Sequence, residues 1–552
     1  MKKFNLIKLL CLTLALFGTV SHGFAQKKGE ALNLGTTRAF KESLQKQVSS
    51  KSSVNARTGK PSLRVAVPGN KELSLDVNFQ EDEKGGLTLV GRVNGVEKST
   101  FFIQVEDGKL HGDIIMLEQK LAFEYGTRED GTVYIQEKDI NKLVCVDYKV
   151  PPANTKSSKQ KEESSTANAR NLTLQSRPGA PYVIYLDFDG EHVPAGTGWN
   201  GGNAFYVSPM NVSSAVITEA WEIIAEDYRP FNVNVTTSLS VFNGYAATSR
   251  QRIIYTPDNN FGFYPNVGGG ARYGTFRNND WPCFVFMGGT GKWAGDIGSH
   301  EVGHTLDLEH DATYSNPSYY NGHNAWAPIM GSSYSPTERA IAQWSKGEYY
   351  NANMQQDDLA VIAYRIGYRG DDHGNSTGAA TTLSVNSTTG AVTSRSGVIE
   401  RNTDIDFFRF TTGSGSVSFN INTVSRHGNL DILARLYNSS GTVIGTYNIT
   451  NSLNNTSSLH ASISTSLSAG TYYLSVTGTG AGTVNTGYSG YGSLGSYTIT
   501  GTVKPPLVAV RHIEAESYNG ESGTGTEACT DAGGGQNLSQ MHAGDYAYYN
   551  DV

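Results

Sequence analysis

The chain has 552 residues, too many for a single hydrophobic core, so roughly three to five folding units are expected. Lys+Arg number 44 and Asp+Glu 51, and the net charge of −7 with no basic arm or stripe excludes nucleic acid and anionic membrane surfaces as expected partners. Charged residues make up only 17% while Gly numbers 62 and Tyr 30, a balance that suits turn-rich β-modules outside the cell better than a cytosolic helical enzyme.

Lys2 and Lys3 precede an apolar run from Leu9 to Val20, and the small residues Gly23 and Ala25 stand just before Gln26. That pattern predicts a secretory signal peptide over 1–25, with a run too short to span a bilayer. Cys11 lies too early for a lipid anchor and follows Lys8-Leu9-Leu10 rather than small residues. No later stretch is apolar for the ~18 residues a span requires, so a secreted, extracellular protein with no membrane span is expected. The four cysteines, Cys11, Cys145, Cys283 and Cys529, fall in different segments and define no disulfide framework.

Residues 26–150 are expected to form a β-rich prosegment. Its first part, 27–60, is polar and Lys/Ser-rich and is expected to be loosely ordered. Alternating strands follow at Leu63–Val67, Leu73–Val77, Leu87–Val93, Phe101–Val105, Gly112–Ile114 and Val133–Ile135, separated by turns such as Asp107-Gly108 and Asp130-Gly131. Residues 151–178 hold almost no apolar side chains and several Lys and Arg, which predicts an exposed linker open to proteolysis. Cys145, just before that linker, has two readings. It is a buried strand cysteine among apolar neighbours, or a thiolate that closes a metal site until cleavage, a zymogen switch.

Residues 179–367 alternate strands and helices, as an α/β sheet packed on helices does. Tyr182–Phe188 reads as a central strand, Thr218–Tyr228 as a helix, and Phe231–Val235, Ile253–Tyr255 and Cys283–Phe286 as further strands. Gly268–Phe276 reads as an edge strand, and Ala271–Phe276 is expected to pair with an extended peptide substrate. A last helix is expected at Gln355–Tyr364.

The chemistry is concentrated in His300-Glu301-Val302-Gly303-His304-Thr305-Leu306-Asp307-Leu308-Glu309-His310-Asp311. His300 and His304 are four residues apart, so on a helix their rings project from one face toward one point. Glu301 lies beside that point, and His310 follows where a chain leaving the helix can return. Three neutral nitrogen ligands and one open position are what a catalytic zinc requires, and Glu301 is placed to act as general base and acid on water.

These residues resemble the metzincin clan of zinc metallopeptidases, nearest to a bacterial branch of the reprolysin/adamalysin type, over roughly 180–366. The resemblance implies a twisted sheet with a zinc helix, zinc ligands His300, His304 and His310, and Glu301 as the catalytic carboxylate. It also implies that Met330, in Ala327-Pro328-Ile329-Met330-Gly331, is the Met-turn residue beneath the metal. The clan has Gly where this chain has Asp307; Asp is among the residues that tolerate the left-handed conformation needed there. Asp311 lies one position too late to be the third ligand. A gluzincin arrangement with Glu338 as third ligand, and a non-catalytic extracellular binding protein with a structural zinc, stay open.

From Arg369 the chain turns to Gly, Ser, Thr and Asn with regularly spaced strands, which predicts a β-sandwich over 368–504. It resembles the bacterial pre-peptidase C-terminal domain, most clearly at Leu467–Tyr473. Asp371-Asp372 and Asp404-Ile405-Asp406 are either calcium ligands or solvated turn carboxylates. Residues 505–552, too few for a sandwich of their own, resemble the start of a family-six-type carbohydrate-binding module. Its Tyr546, Tyr548 and Tyr549 are either an aromatic platform for a polysaccharide or strand core. The chain therefore reads as multidomain: an α/β metzincin-like catalytic domain flanked by a β-rich prodomain and C-terminal β-sandwich modules, cutting proteins or peptides with Zn2+, and with Ca2+ as a candidate ion of the C-terminal part.

Overall fold

A computed structural model of the chain describes residues 31–50, 59–82, 86–145, 172–262, 267–286, 289–334, 338–448 and 459–505, with the backbone of four short strands between 520 and 548. The expected signal peptide, most of the linker, Cys11 and Cys529 lie outside the described residues.

The N-terminal unit is one eight-stranded antiparallel sheet. Seven strands run as a meander from Ser62–Val67 to Thr132–Lys138, and Leu32–Thr36 closes onto the last of them. Leu32–Thr36 and the helix Thr37–Ser49 correct the expectation of a loose 27–60. Thr36 caps the helix by accepting from the Ala39 N–H at 3.3 Å, and Leu44 joins the buried cluster that also holds Leu63, Phe101 and Ile135. The helix is polar overall because only one narrow stripe is covered, and that sparse stripe hides it from composition.

The central unit holds a five-stranded sheet in the order Val233–Thr236, Tyr182–Asp187, Arg250–Tyr255, Cys283–Val285, Gly269–Gly270. Its pairings are parallel except the last. Parallel strands must be covered on both faces, so they read as continuous apolar runs, as Tyr182–Phe188 does. One face is packed by two helices, Ser214–Asp227 and the site helix Gly291–Thr305, which meet where Gly295 and Gly298 let Ile223 and Ile224 approach closely. The expected edge strand through Phe276 is shorter than its sequence suggests. Strand pairing stops at Gly270; Gly274 takes φ +66°, and the Gly274 and Phe276 N–H groups donate to the His304 and Thr305 carbonyls at the end of the site helix. The last helix is Asp358–Ile366.

Two sheets of five and four strands follow, with inward and outward residues alternating as in Asp406–Thr412 and Gly415–Thr423, and Phe408, Phe410, Phe419 and Ile432 between them. This sandwich shares one continuous core with the central unit. Polar contacts reinforce the seam: Asn429 donates to the Asp227 carboxylate at 2.7 Å, the Ser496 N–H to Glu226 at 2.6 Å, and the Tyr491 hydroxyl to Asp357 at 2.7 Å. Beyond 520, Gly520–Ser522 pairs with Tyr546–Tyr548 and Gly525–Ala528 with Gln536–Ser539. Tyr549 lies outside the described residues. Among the described residues no helix is long and apolar enough to cross a membrane.

Candidate active site

The site helix starts at Thr290, whose hydroxyl accepts from the Trp293 N–H at 3.1 Å, and carries His300, Glu301 and His304 in its last turns. Its end is a Schellman motif. The Leu308 N–H donates to the Gly303 carbonyl at 3.0 Å and the Asp307 N–H to the His304 carbonyl at 2.9 Å, with Asp307 at φ +77°. Asp307 thus takes the left-handed position, and its carboxylate pairs with Arg365. Gln356 ties down the turn, donating to the Asp307 carbonyl at 2.9 Å and accepting from the Glu309 N–H at 2.8 Å. The chain reverses there and brings His310 back.

The structure gathers Cys145, His300, His304 and His310, with one ligand atom from each within 4.8 Å of the others. His300 Nδ1 lies 2.9 Å from the Ile329 carbonyl and His304 Nδ1 2.7 Å from the Leu308 carbonyl. A carbonyl only accepts, so both Nδ1 atoms carry hydrogen and both Nε2 atoms present lone pairs in the neutral rings. Those Nε2 atoms face each other at 3.0 Å. Two lone pairs at that distance repel unless a cation lies between them, and tetrahedral bonds of about 2.0–2.1 Å to zinc place two nitrogens ~3.3 Å apart. The donor set therefore fits Zn2+. Burial holds His300 down to about 4 and His304 and His310 well below the ordinary imidazole range, with repulsion from neighbouring imidazolium as the second cause at His304 and His310. The rings are kept neutral, as metal ligands must be.

Glu301 is wholly buried; its Oε2 has no hydrogen-bond partner, and burial pushes its carboxyl well above the ordinary range. Met330 is buried under the helix, where a Cβ at Gly303 would meet its Sδ at 2.5 Å. Its carbonyl accepts from the Asp311 N–H at 2.8 Å, so the turn that holds Met330 also orients His300 through Ile329 and anchors the return loop. Asp311 itself is buried against the Tyr349 hydroxyl at 3.1 Å, and Glu338 is exposed and stands outside the cluster.

The end of the N-terminal unit covers the site. The Cys145 N–H donates to the Ala271 carbonyl at 2.9 Å, the Tyr273 N–H to the Leu143 carbonyl at 3.3 Å, and Val144 bridges Arg272 in antiparallel sense. Leu143–Cys145 thus occupies the position expected for an extended substrate. Cys145 Sγ points at the histidines, 3.5 Å from His310 Nε2 and 3.9 Å from Glu301 Oε1. Neither Cys145 nor Cys283 is in a disulfide, and Cys283 is a core side chain. Behind this strap the Asp113 carboxylate pairs with the buried Arg272, which also donates to the Gly198 carbonyl at 3.0 Å and lies over the Trp281 ring. Lys142 reaches Glu309 at 2.7 Å.

Four residues near these clusters carry no spacing signal in the sequence: Tyr319 beside His310, Arg272 and Asp113 as a pair, and Glu400. Glu400 joins the acidic cluster near the entry to the sandwich. Asp371, Asp372 and Asp406 bring ligand oxygens within 4.8 Å of one another, while Glu400, Asp404 and Asp406 are buried with carboxylate oxygens that lack hydrogen-bond partners. Burial, then the neighbouring Asp404, raises Glu400 to about 9; burial raises Asp406 to about 8.

Residues 404–478 match the family model of the bacterial pre-peptidase C-terminal domain. No curated protein matches the chain. Among solved structures the chain is similar to the pre-peptidase C-terminal domain of collagenase from Bacillus anthracis, at 12% identity over 24% of this chain and 100% of that one, with a TM-score of 0.17. It is also similar to metalloproteinase-II from Bacteroides fragilis, at 10% identity over 60% of this chain and 96% of that one, with a TM-score of 0.19. Scores this low assign no fold to the central unit.

Proposed function

We propose that the chain is a secreted zinc-dependent endopeptidase of the metzincin type, made as a zymogen. The observation that carries this reading is the pair of Nε2 lone pairs 3.0 Å apart, each ring fixed through Nδ1 by a backbone carbonyl, beside a buried carboxylate with an unpartnered oxygen. His300, His304 and His310 would hold Zn2+, which when bound polarises the scissile carbonyl and lowers the pKa of water. Glu301 takes a proton from the attacking water and delivers it to the leaving amine. Its burial suits the task, because a carboxylate with no competing donors is a stronger base. Ala271 and Tyr273 offer the backbone groups that pair with an extended peptide, and they already do so with Leu143–Cys145. Cys145 is the switch in this reading: its thiolate would fill the open metal position until the linker is cut. Asp371, Asp372, Glu400, Asp404 and Asp406 would bind Ca2+ in the sandwich, because oxygens buried without donors suit a hard cation.

Metal analysis of the purified protein tests the ligand set. His310→Ala is expected to lose zinc and Glu338→Ala to retain it; the reverse outcome would favour the gluzincin arrangement. A zinc-loaded, linker-cut protein that cleaves no peptide would favour a structural metal.

A further inference from the structure

We infer that Tyr319 is a further catalytic residue of the hydrolysis proposed above, its hydroxyl donating a hydrogen bond to the scissile carbonyl oxygen as that oxygen gains negative charge. The inference rests on that reading of the site. Cys145 Sγ marks the space before the three imidazoles, and it is contacted by His310 Nε2 at 3.5 Å, Tyr319 Oη at 3.8 Å and Glu301 Oε1 at 3.9 Å. When the strap leaves, a peptide carbonyl entering the same space meets two groups of complementary chemistry. Glu301 is the proton acceptor, and the phenol of Tyr319 carries an O–H donor.

Tyr319 is held for this position. Its ring lies 4.3 Å from that of His310 and 6.1 Å from that of His300, centroid to centroid. The peptide group that follows it is pinned at both ends: Asn316 Nδ2 donates to the Tyr319 carbonyl at 2.6 Å, and the Tyr320 N–H donates to the Asp311 carbonyl at 2.8 Å. Together with His310, Pro317, Asn353 and Met354 it lines a cleft that opens to solvent. A donor fixed before substrate arrives needs no reorganisation as charge develops, which is the condition under which such donors act most strongly. In the balanced step, water oxygen adds to the carbonyl carbon, the C–N bond breaks, and Glu301 carries the water proton to the leaving nitrogen. Tyr319 keeps its own proton throughout.

The test uses the full chain cut in its linker by trypsin and freed of prosegment, as wild type, Tyr319→Phe and Glu301→Gln. Phe keeps the ring against His310 and removes only the hydroxyl. The expected result is a kcat lower by roughly 10–100-fold with KM nearly unchanged and zinc content equal to wild type. A second readout is binding rather than turnover. A phosphinic peptide, tetrahedral and anionic, should bind Tyr319→Phe more weakly by a similar factor, while the planar peptide substrate, measured in the Glu301→Gln background, binds with or without the Tyr319 hydroxyl alike. Turnover within threefold of wild type, or equal loss of affinity for both ligands, would overturn the role of Tyr319 alone. A wild type that cleaves no peptide, or a Glu301→Gln variant as active as wild type, would overturn the reading of the site.

Discussion

On the proposed zymogen reading, Asp113→Ala is expected to loosen the grip of the N-terminal unit on the site without touching the residues proposed as catalytic. Asp113 lies on the strand Lys109–Met116 and pairs with Arg272, whose side chain is only 3% exposed against 14% for Asp113. Removing one partner of a buried pair strands the other charge, at a cost of ~3–5 kcal/mol. Arg272 keeps the Gly198 carbonyl at 3.0 Å and the Trp281 face at 5.4 Å, so the low end applies, ~3 kcal/mol, or about 150-fold in affinity. The assay is the inhibition constant of prosegment for catalytic unit after linker cleavage, read from progress curves on a peptide substrate. Asp113 is not part of the apolar core of the N-terminal sheet, so the thermal transition of that sheet should hold while inhibition weakens. The double variant Asp113→Leu/Arg272→Leu should recover much of the loss, because apolar replacement of a buried pair is often neutral. Inhibition by Asp113→Ala within threefold of wild type would refute the assignment of binding energy to this pair.

Asp307→Val should destabilise the helix end by ~1–2 kcal/mol, since a β-branched residue is poorly tolerated at φ +77°, and the losses should show as a lower Tm and weaker zinc retention. Asn429→Leu withdraws a donor from the buried Asp227, already raised to about 7 by burial, and should cost ~1–3 kcal/mol in thermal unfolding of the whole chain. In the acidic cluster, Glu400 and Asp406 have folded pKa values of about 9 and about 8, above their ordinary values. Between the ordinary carboxylate range and those values the folded state binds more protons than the unfolded one, so in EDTA stability should fall as pH rises from 5 to 9. Saturating Ca2+ should flatten that slope in differential scanning calorimetry by replacing the protons; a slope unchanged by Ca2+ would count against the ion site.

The parts of the site that follow a local period were legible in the sequence. The four-residue spacing of His300 and His304 needs only a helix, and Asp307 marks where that helix must turn. Strands such as Tyr182–Phe188 and the alternating runs of the sandwich announce themselves because burial on one or both faces dictates their pattern. Contacts across long separations were not legible. Asp113 and Arg272 are 159 residues apart, and Tyr319 reaches Cys145 from a loop with no repeat to read. The helix Thr37–Ser49 gives no periodic signal because it buries Thr37 and Leu44 alone, too little apolar content to outweigh its charged face. The Ala271–Phe276 stretch reads as a strand because its residues favour one, yet the end of the site helix claims the Gly274 and Phe276 N–H groups.

The most direct measurement is cleavage of a peptide library by the linker-cut, prosegment-free protein, comparing wild type with Glu301→Gln. Glu301 is buried beside the histidine cluster with an oxygen that no protein donor reaches, and Gln keeps its shape while removing its capacity to carry a proton. Zinc-dependent internal cleavage is expected of wild type and a loss of at least ~100-fold of Glu301→Gln, with zinc still bound. Equal cleavage by both proteins, or none by a zinc-loaded wild type, would contradict it.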